Sequence, residues 1–215
     1  MFTGLVRHVG TIAALEPSGD GVALLIDATG WAHRPAPGDS IAVDGCCLTL
    51  AEAATEDGPW RFDVVRQTLD LTTLGGLAPG SRVNLESSCT AETLLGGHVV
   101  QGHVEAVARV LAVSSGDRSW RVRFATPPAL ADRIVDQGSI AVAGTSLTVA
   151  GTGADWFEIA LIPTTLHETT LGELVAGDRV NVETDILARM VVGWLERHGP
   201  AMLARLLEQR DPLDT

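Results

Sequence analysis

The chain writes nearly the same strand twice, "SIAVDGCCLTL" at 40–50 and "SIAVAGTSLTV" at 139–149. Shifting the sequence by 99 residues lays Ser40, Ile41, Ala42, Val43, Gly45, Leu48 and Thr49 over Ser139, Ile140, Ala141, Val142, Gly144, Leu147 and Thr148. A shift of 97 aligns "TTLGGLAPGSRVNLES" (72–87) with "TTLGELVAGDRVNVET" (169–184), and one of 98 puts Gly4 and Val6 over Gly102 and Val104. A period near 100 is too long for a solenoid unit and has the size of a complete domain. The expectation is therefore one domain doubled, spanning 1–95 and 96–185, with 186–215 as a separate C-terminal element.

Inside each copy the signals are short runs such as "IAVDGCCLTL", "RFDVV", "RVNLES" and "WRVRFA", rich in Val, Ile, Leu and Thr. Gly, Pro and Asp clusters ("PSGDG", "PAPGD", "EDGP", "APGS") separate them at intervals that suit antiparallel barrels. A short turn or helix is expected at 128–135 and in the matching stretch around Trp31. After Asp185 the texture changes. Ile186, Leu187, Met190, Val191, Trp194, Leu195 and His198 recur at helical spacing, and Met202, Leu203, Leu206 and Leu207 continue past the Gly-Pro at 199–200. This stripe has no counterpart in the first copy, and the expectation is that it mediates self-association. The fold class is thus all-β, two tandem antiparallel barrels with a C-terminal helix.

Several classes fall away. A net charge of −12 without a basic cluster argues against nucleic acid, whose binding rests on Lys and Arg. No apolar run approaches the roughly 18 residues of a membrane span. The opening "MFTGLVRHVG" lacks the marks of a secretory signal, so a cytoplasmic protein is expected. Cys46, Cys47 and Cys89 are odd in number, two of them adjacent, and are expected as free thiols. No phosphate loop, dinucleotide fingerprint or nucleophile elbow is present.

The opening "MFTG", the two "SIAV-G-x-[CS]-LT" segments, "GGHVVQGHV" at 96–104, the paired "TTLG" and "VN-[LV]-E" segments and "LIPTTL" at 161–166 together resemble riboflavin synthase of the trimeric, two-barrel type. The resemblance implies that each copy is a six-stranded barrel and that three chains associate through the C-terminal helix. It further implies that two molecules of 6,7-dimethyl-8-ribityllumazine react between the first barrel of one subunit and the second barrel of another. A four-carbon unit passes between them, giving riboflavin and a ribitylaminopyrimidinedione. The substrate is both donor and acceptor, so no cofactor and no metal are implied.

Two copies of one substrate held in complementary roles explain why the copies diverge. The alignment sets Cys47 against Ser146, Leu5 against His103, Gln67 against Thr164 and Ser88 against Asp185. Ser146 and Thr148 alternate along a strand and face one side, as do Cys47 and Thr49. In Cys47 binding is expected over nucleophilic attack, with no His or Lys beside it in sequence, while Cys46 on the opposite face is read as packing. The chemistry needs the donor's C7 methyl to lose a proton, a task imidazole suits. His103 is the candidate for it, with His98 read as capping a turn. Asp185 precedes the helix as an ordinary N-cap would, and the resemblance also places it in the site.

Catalytic candidates are accordingly His103, Ser146, Asp185 and Cys47. Substrate contacts are expected from Gly4, Leu5 and Val6; from Leu48 and Thr49; and from Asp63, Val64, Val65, Arg66, Gln67 and Thr68. The second copy adds Gly102, Val104, Gln137, Leu147, Thr148, Ile162, Pro163, Thr164, Thr165, Leu166 and His167. Several positions depart from the family pattern, among them "VNLESS" at 83–88 where "VNLERA" is usual. Gln137 stands where Lys is usual, Gln67 where Glu is usual, and Thr164 where Glu or His is common. Two alternatives follow, a paralogue acting on a modified lumazine or a protein that binds lumazine or flavin without converting it.

Overall fold

The computed structural model describes residues 1–52, 58–116 and 119–208, without the side chains of 119 and 204–208. Part of the "EDGP" turn, the helical stripe at Leu206 and Leu207, and the last seven residues of the chain lie outside that description.

The first barrel is built from β1 (His8–Ser18), β2 (Gly21–Asp27), β3 (Ser40–Val43), β4 (Cys46–Glu52), β5 (Trp60–Val64) and β6 (Arg82–Ser87). The second is built from β7 (Ala106–Gly116), β8 (Ser119–Ala125), β9 (Ser139–Val142), β10 (Thr145–Thr152), β11 (Trp156–Leu161) and β12 (Arg179–Thr184). Both close in the same order, β1-β2-β5-β4-β3-β6 and β7-β8-β11-β10-β9-β12, and every pair is antiparallel. The copies share even their bulges, at Ile12/Ala14 and Val110/Ala112 and again at Leu50/Glu52 and Val149/Gly151. Closure leaves no free sheet edge, and the bulges supply the bends that closure needs.

Alternation places Cys46, Leu48 and Leu50 inside the first barrel and leaves Cys47 and Thr49 outside. In β10, Thr145, Leu147 and Val149 point inward and Ser146 and Thr148 outward. Phe62 and Phe157 are fully buried in the two interiors, each among the aliphatic side chains of its own barrel. Leu74 and Leu171, on 3-10 turns at Thr73–Gly76 and Thr170–Glu173, are fully buried and plug matching ends.

Short helices α1 (Arg66–Leu71) and α2 (Pro163–Glu168) follow β5 and β11, each too brief for its apolar period to show. The turn expected near Pro128 is present as a 3-10 segment, Pro128–Arg133, with Leu130 buried. Its counterpart around Trp31 is not helical. There Trp31 packs between His8, His33 and Trp60, with ring centroids 5.1–5.8 Å away, and aromatic stacking replaces the aliphatic plug. The C-terminal helix α3 (Ile186–Glu208) runs unbroken through Pro200. No helix among the described residues is long and apolar enough to cross a membrane.

The barrels meet along a seam where Phe2, Ala42, Val100 and Ala141 form a small core of their own. Phe2 and Val100 pair as an antiparallel bridge, with N–H···O distances of 2.7 and 3.1 Å. Asn84 and Asn181 each span the seam. Asn84 donates to the Ala143 carbonyl and accepts from Thr170 N–H; Asn181 donates to the Asp44 carbonyl and accepts from Thr73 N–H. The "VN-[LV]-E" repeat is thus the joint between the barrels.

Candidate active site

The segments ahead of each barrel do not stay with their own copy. Residues 2–5 lie against β10 of the second barrel, where the Gly4 carbonyl accepts from Ser146 N–H at 2.7 Å. Residues 100–104 lie against β4 of the first, where the Gly102 carbonyl accepts from Cys47 N–H at 2.9 Å. Val104 packs on the first barrel's core. The grouping expected from the alignment, with His103 beside Ser146, is therefore crossed over: Leu5 belongs with Ser146 and His103 with Cys47.

Ser146 has an imidazole partner all the same. His98 Nδ1 lies 2.6 Å from Ser146 Oγ in a shared hydrogen bond. Gly97 makes this approach possible, since a Cβ there would stand 2.8 Å from Ser146 Oγ and 2.2 Å from the Thr3 carbonyl. His98 is buried, with its Nε2 unpartnered among the described residues. Burial holds its pKa below the ordinary imidazole value, and the negative charge of Asp185 works against that shift. Asp185 Oδ1 also accepts from Leu187 N–H at 2.9 Å, capping the start of α3. A buried imidazole bonded to a hydroxyl, with the charge of a carboxylate acting on it, is an arrangement suited to moving a proton.

His98 sits in the linker, and its place in the first copy would fall before Met1, so comparing the copies cannot find it. The signal lies in the linker itself, in a glycine pair followed by His.

Around the first barrel, Cys47 and Thr49 share the outward face with Asp63 of β5, and Val65, Arg66 and Gln67 stand exposed where α1 begins. Val64 and Leu48 point into the core instead. Thr68 is half-buried, and Leu5, Val6 and Val104 are half-buried along the seam. Cys46 faces inward, where burial pushes its thiol up to about 12, so it packs and does not react. Around the second barrel, Thr148 is exposed beside Ser146, and Leu147 packs on the core. Ile162, Pro163, Thr164 and His167 are exposed on and before α2, with Thr165 and Leu166 half-buried. Gln137 is exposed at a φ of +61°, the position filled by Gly38 in the first copy.

Two barrels of one strand order, with matched but unequal polar pairs on their outward faces, make a duplicated domain, and the Lumazine binding domain model matches residues 3–88 and 101–185. Riboflavin synthase of Mycobacterium tuberculosis is 44% identical over 194 residues, 89% of this chain and 96% of its own. That of Bacillus subtilis is 35% identical over 197 residues, 92% and 91% of the two chains. The chain belongs to the riboflavin synthase family. Crystal structures of LumP complexed with 6,7-dimethyl-8-(1'-D-ribityl) lumazine and with riboflavin match with TM-scores of 0.74 and 0.75, at 26% and 28% identity. Each match covers 86% of this chain and 99% of LumP.

Proposed function

We propose that this protein is a riboflavin synthase, transferring a four-carbon unit between two molecules of 6,7-dimethyl-8-ribityllumazine to give riboflavin and 5-amino-6-(ribitylamino)pyrimidinedione. The observation that carries the reading is the Ser146–His98 hydrogen bond on the outward face of one barrel, matched by Cys47 and Thr49 on the other. Two like faces suit two like heterocycles, and unequal side chains suit their unequal fates.

In this reading the lumazine on the Ser146 face is the one that loses its C7-methyl proton. His98, kept neutral by burial, accepts that proton through the Ser146 hydroxyl, and Asp185 offsets the positive charge that forms. The Cys47 face, with Thr49 and His103, holds the second molecule. Gln67, Gln137 and Thr164 supply hydrogen bonds where the family often has charge. The sequence identity to riboflavin synthases favours this enzyme over a paralogue for a modified lumazine or a non-converting binder.

Each chain carries both faces, and they meet those of neighbouring chains in a homotrimer with its sites between subunits. The exposed apolar side chains of α3, Leu187, Met190, Val191, Trp194 and Leu195, support that assembly. The free thiols of Cys46, Cys47 and Cys89 suit the cytoplasm.

Incubating the purified protein with 6,7-dimethyl-8-ribityllumazine tests the reading: flavin and the pyrimidinedione form in equal amounts. Unchanged bound lumazine would instead identify a binder. Ser146→Ala and His98→Ala each lower kcat by ~10²-fold or more with KM little changed, the pattern of lost proton transfer.

A further inference from the structure

We propose that Glu86 and Glu183 are positioning residues, each fixing one lumazine half-site across the seam: Glu86 the Ser146 side, Glu183 the Cys47 side. The inference rests on the two-face reading above and extends it to residues that touch no ligand.

Glu86 Oε1 accepts from Thr3 N–H and Thr3 Oγ1, both at 2.7 Å, and Oε2 accepts from Gly4 N–H at 2.9 Å. Glu183 Oε1 accepts from Gln101 N–H at 2.7 Å, and Oε2 accepts from Gly102 and His103 N–H at 2.9 and 2.8 Å. Both side chains are buried, at 4% and 3% exposure. Each carboxylate thus gathers the amides of one lead-in segment, and the carbonyl of the glycine it holds then accepts from Ser146 N–H or Cys47 N–H. On the Ser146 side the same anchor fixes Thr3, whose carbonyl crowds Gly97 beside His98.

Only a carboxylate offers acceptors at both ends and no donor. In Gln the amide nitrogen would face a backbone N–H, which cannot accept from it. Burying a carboxylate is expensive, and burial holds both carboxyl groups above their usual range despite the three donors each receives. A packing role alone is met more cheaply by an apolar side chain. What the charge adds is a fixed position for a loop with no strand ladder of its own.

The test uses the full-length protein as Glu86→Gln and Glu183→Gln, with melting curves, kcat, KM and equilibrium titration by 6,7-dimethyl-8-ribityllumazine. Glu86→Gln weakens one lumazine site per chain about tenfold or more and leaves the other, and Glu183→Gln does the reverse. Double variants assign the sides. Read in the titration, Cys47→Ala adds little to the loss in Glu183→Gln and its full effect in Glu86→Gln; read in kcat, Ser146→Ala adds little to the loss in Glu86→Gln and its full effect in Glu183→Gln. Lower melting temperatures with both sites intact, or losses additive in every combination, would overturn the proposal. Because the titration reads binding, it decides this question even if the wild-type protein fails to make flavin, which would sink the enzyme reading by itself.

Discussion

Asp44 is the residue whose chemistry the duplication does not explain. It opens the β3–β4 turn at φ +45°, and Ala143 holds the same place in the second copy. Its side chain is buried against the seam, with Oδ1 accepting from Asn84 N–H at 2.8 Å, and burial pushes its carboxyl from 3.8 up to about 7. A raised carboxyl pKa means the folded state keeps a proton that the unfolded state has released. The stability tied to that proton is fully present below about pH 4 and is lost as pH rises through about 7, a swing of ~4 kcal/mol at most. Asp44→Asn cannot ionise, keeps the acceptor, and suits a turn that requires positive φ. It should raise the melting temperature by several degrees at pH 8, with the gain vanishing toward pH 4. A gain independent of pH would show that Asp44 is not the titrating group.

At the scale of elements, the strands were legible because burial imposes a two-residue alternation on each, as in Cys46–Leu50 and Thr145–Val149. The helices α1 and α2 were not, since six residues make under two turns and show no stripe. The lead-in segments were the least legible and decide most about the site. Gly4 has a φ of +73°, and a Cβ there would lie 2.6 Å from Ser146 Cβ. Gly4→Ala therefore adds left-handed strain of ~1–2 kcal/mol to a clash with the strand beside it. The expected result is a lower melting temperature and a kcat reduced at least as far as in Ser146→Ala. A melting loss with wild-type kcat would separate the segment from the chemistry.

For the molecule as a whole, the question is what covers α3. Trp194 is 50% exposed and Met190 64%, on a helix whose first turns are tied to the second barrel through Arg189, which lies 3.6 Å from Glu105 Oε1 and donates to Gln101 Oε1. That anchor leaves Leu187, Met190, Val191, Trp194 and Leu195 exposed. Met190→Asp combined with Trp194→Asp should leave the barrels folded by circular dichroism and yield a monomer by light scattering, where the proposed assembly gives a trimer for the unaltered chain. Turnover should fall ~10²-fold or more, because in the proposed assembly each site takes its faces from two chains. Full activity in a monomeric variant would place the whole site within one chain.

The sequence by itself determined the two antiparallel barrels and the pair of unequal faces, because duplication shows as matching segments along the chain and alternation as a relation between neighbouring residues. Only the tertiary structure decided which segment completes which face. Thr3 meets its carboxylate 83 positions away and Gln101 meets its own at 82. Bonds that long in sequence leave no period behind them, so His98, and not His103, was found beside Ser146 only once the chain had folded.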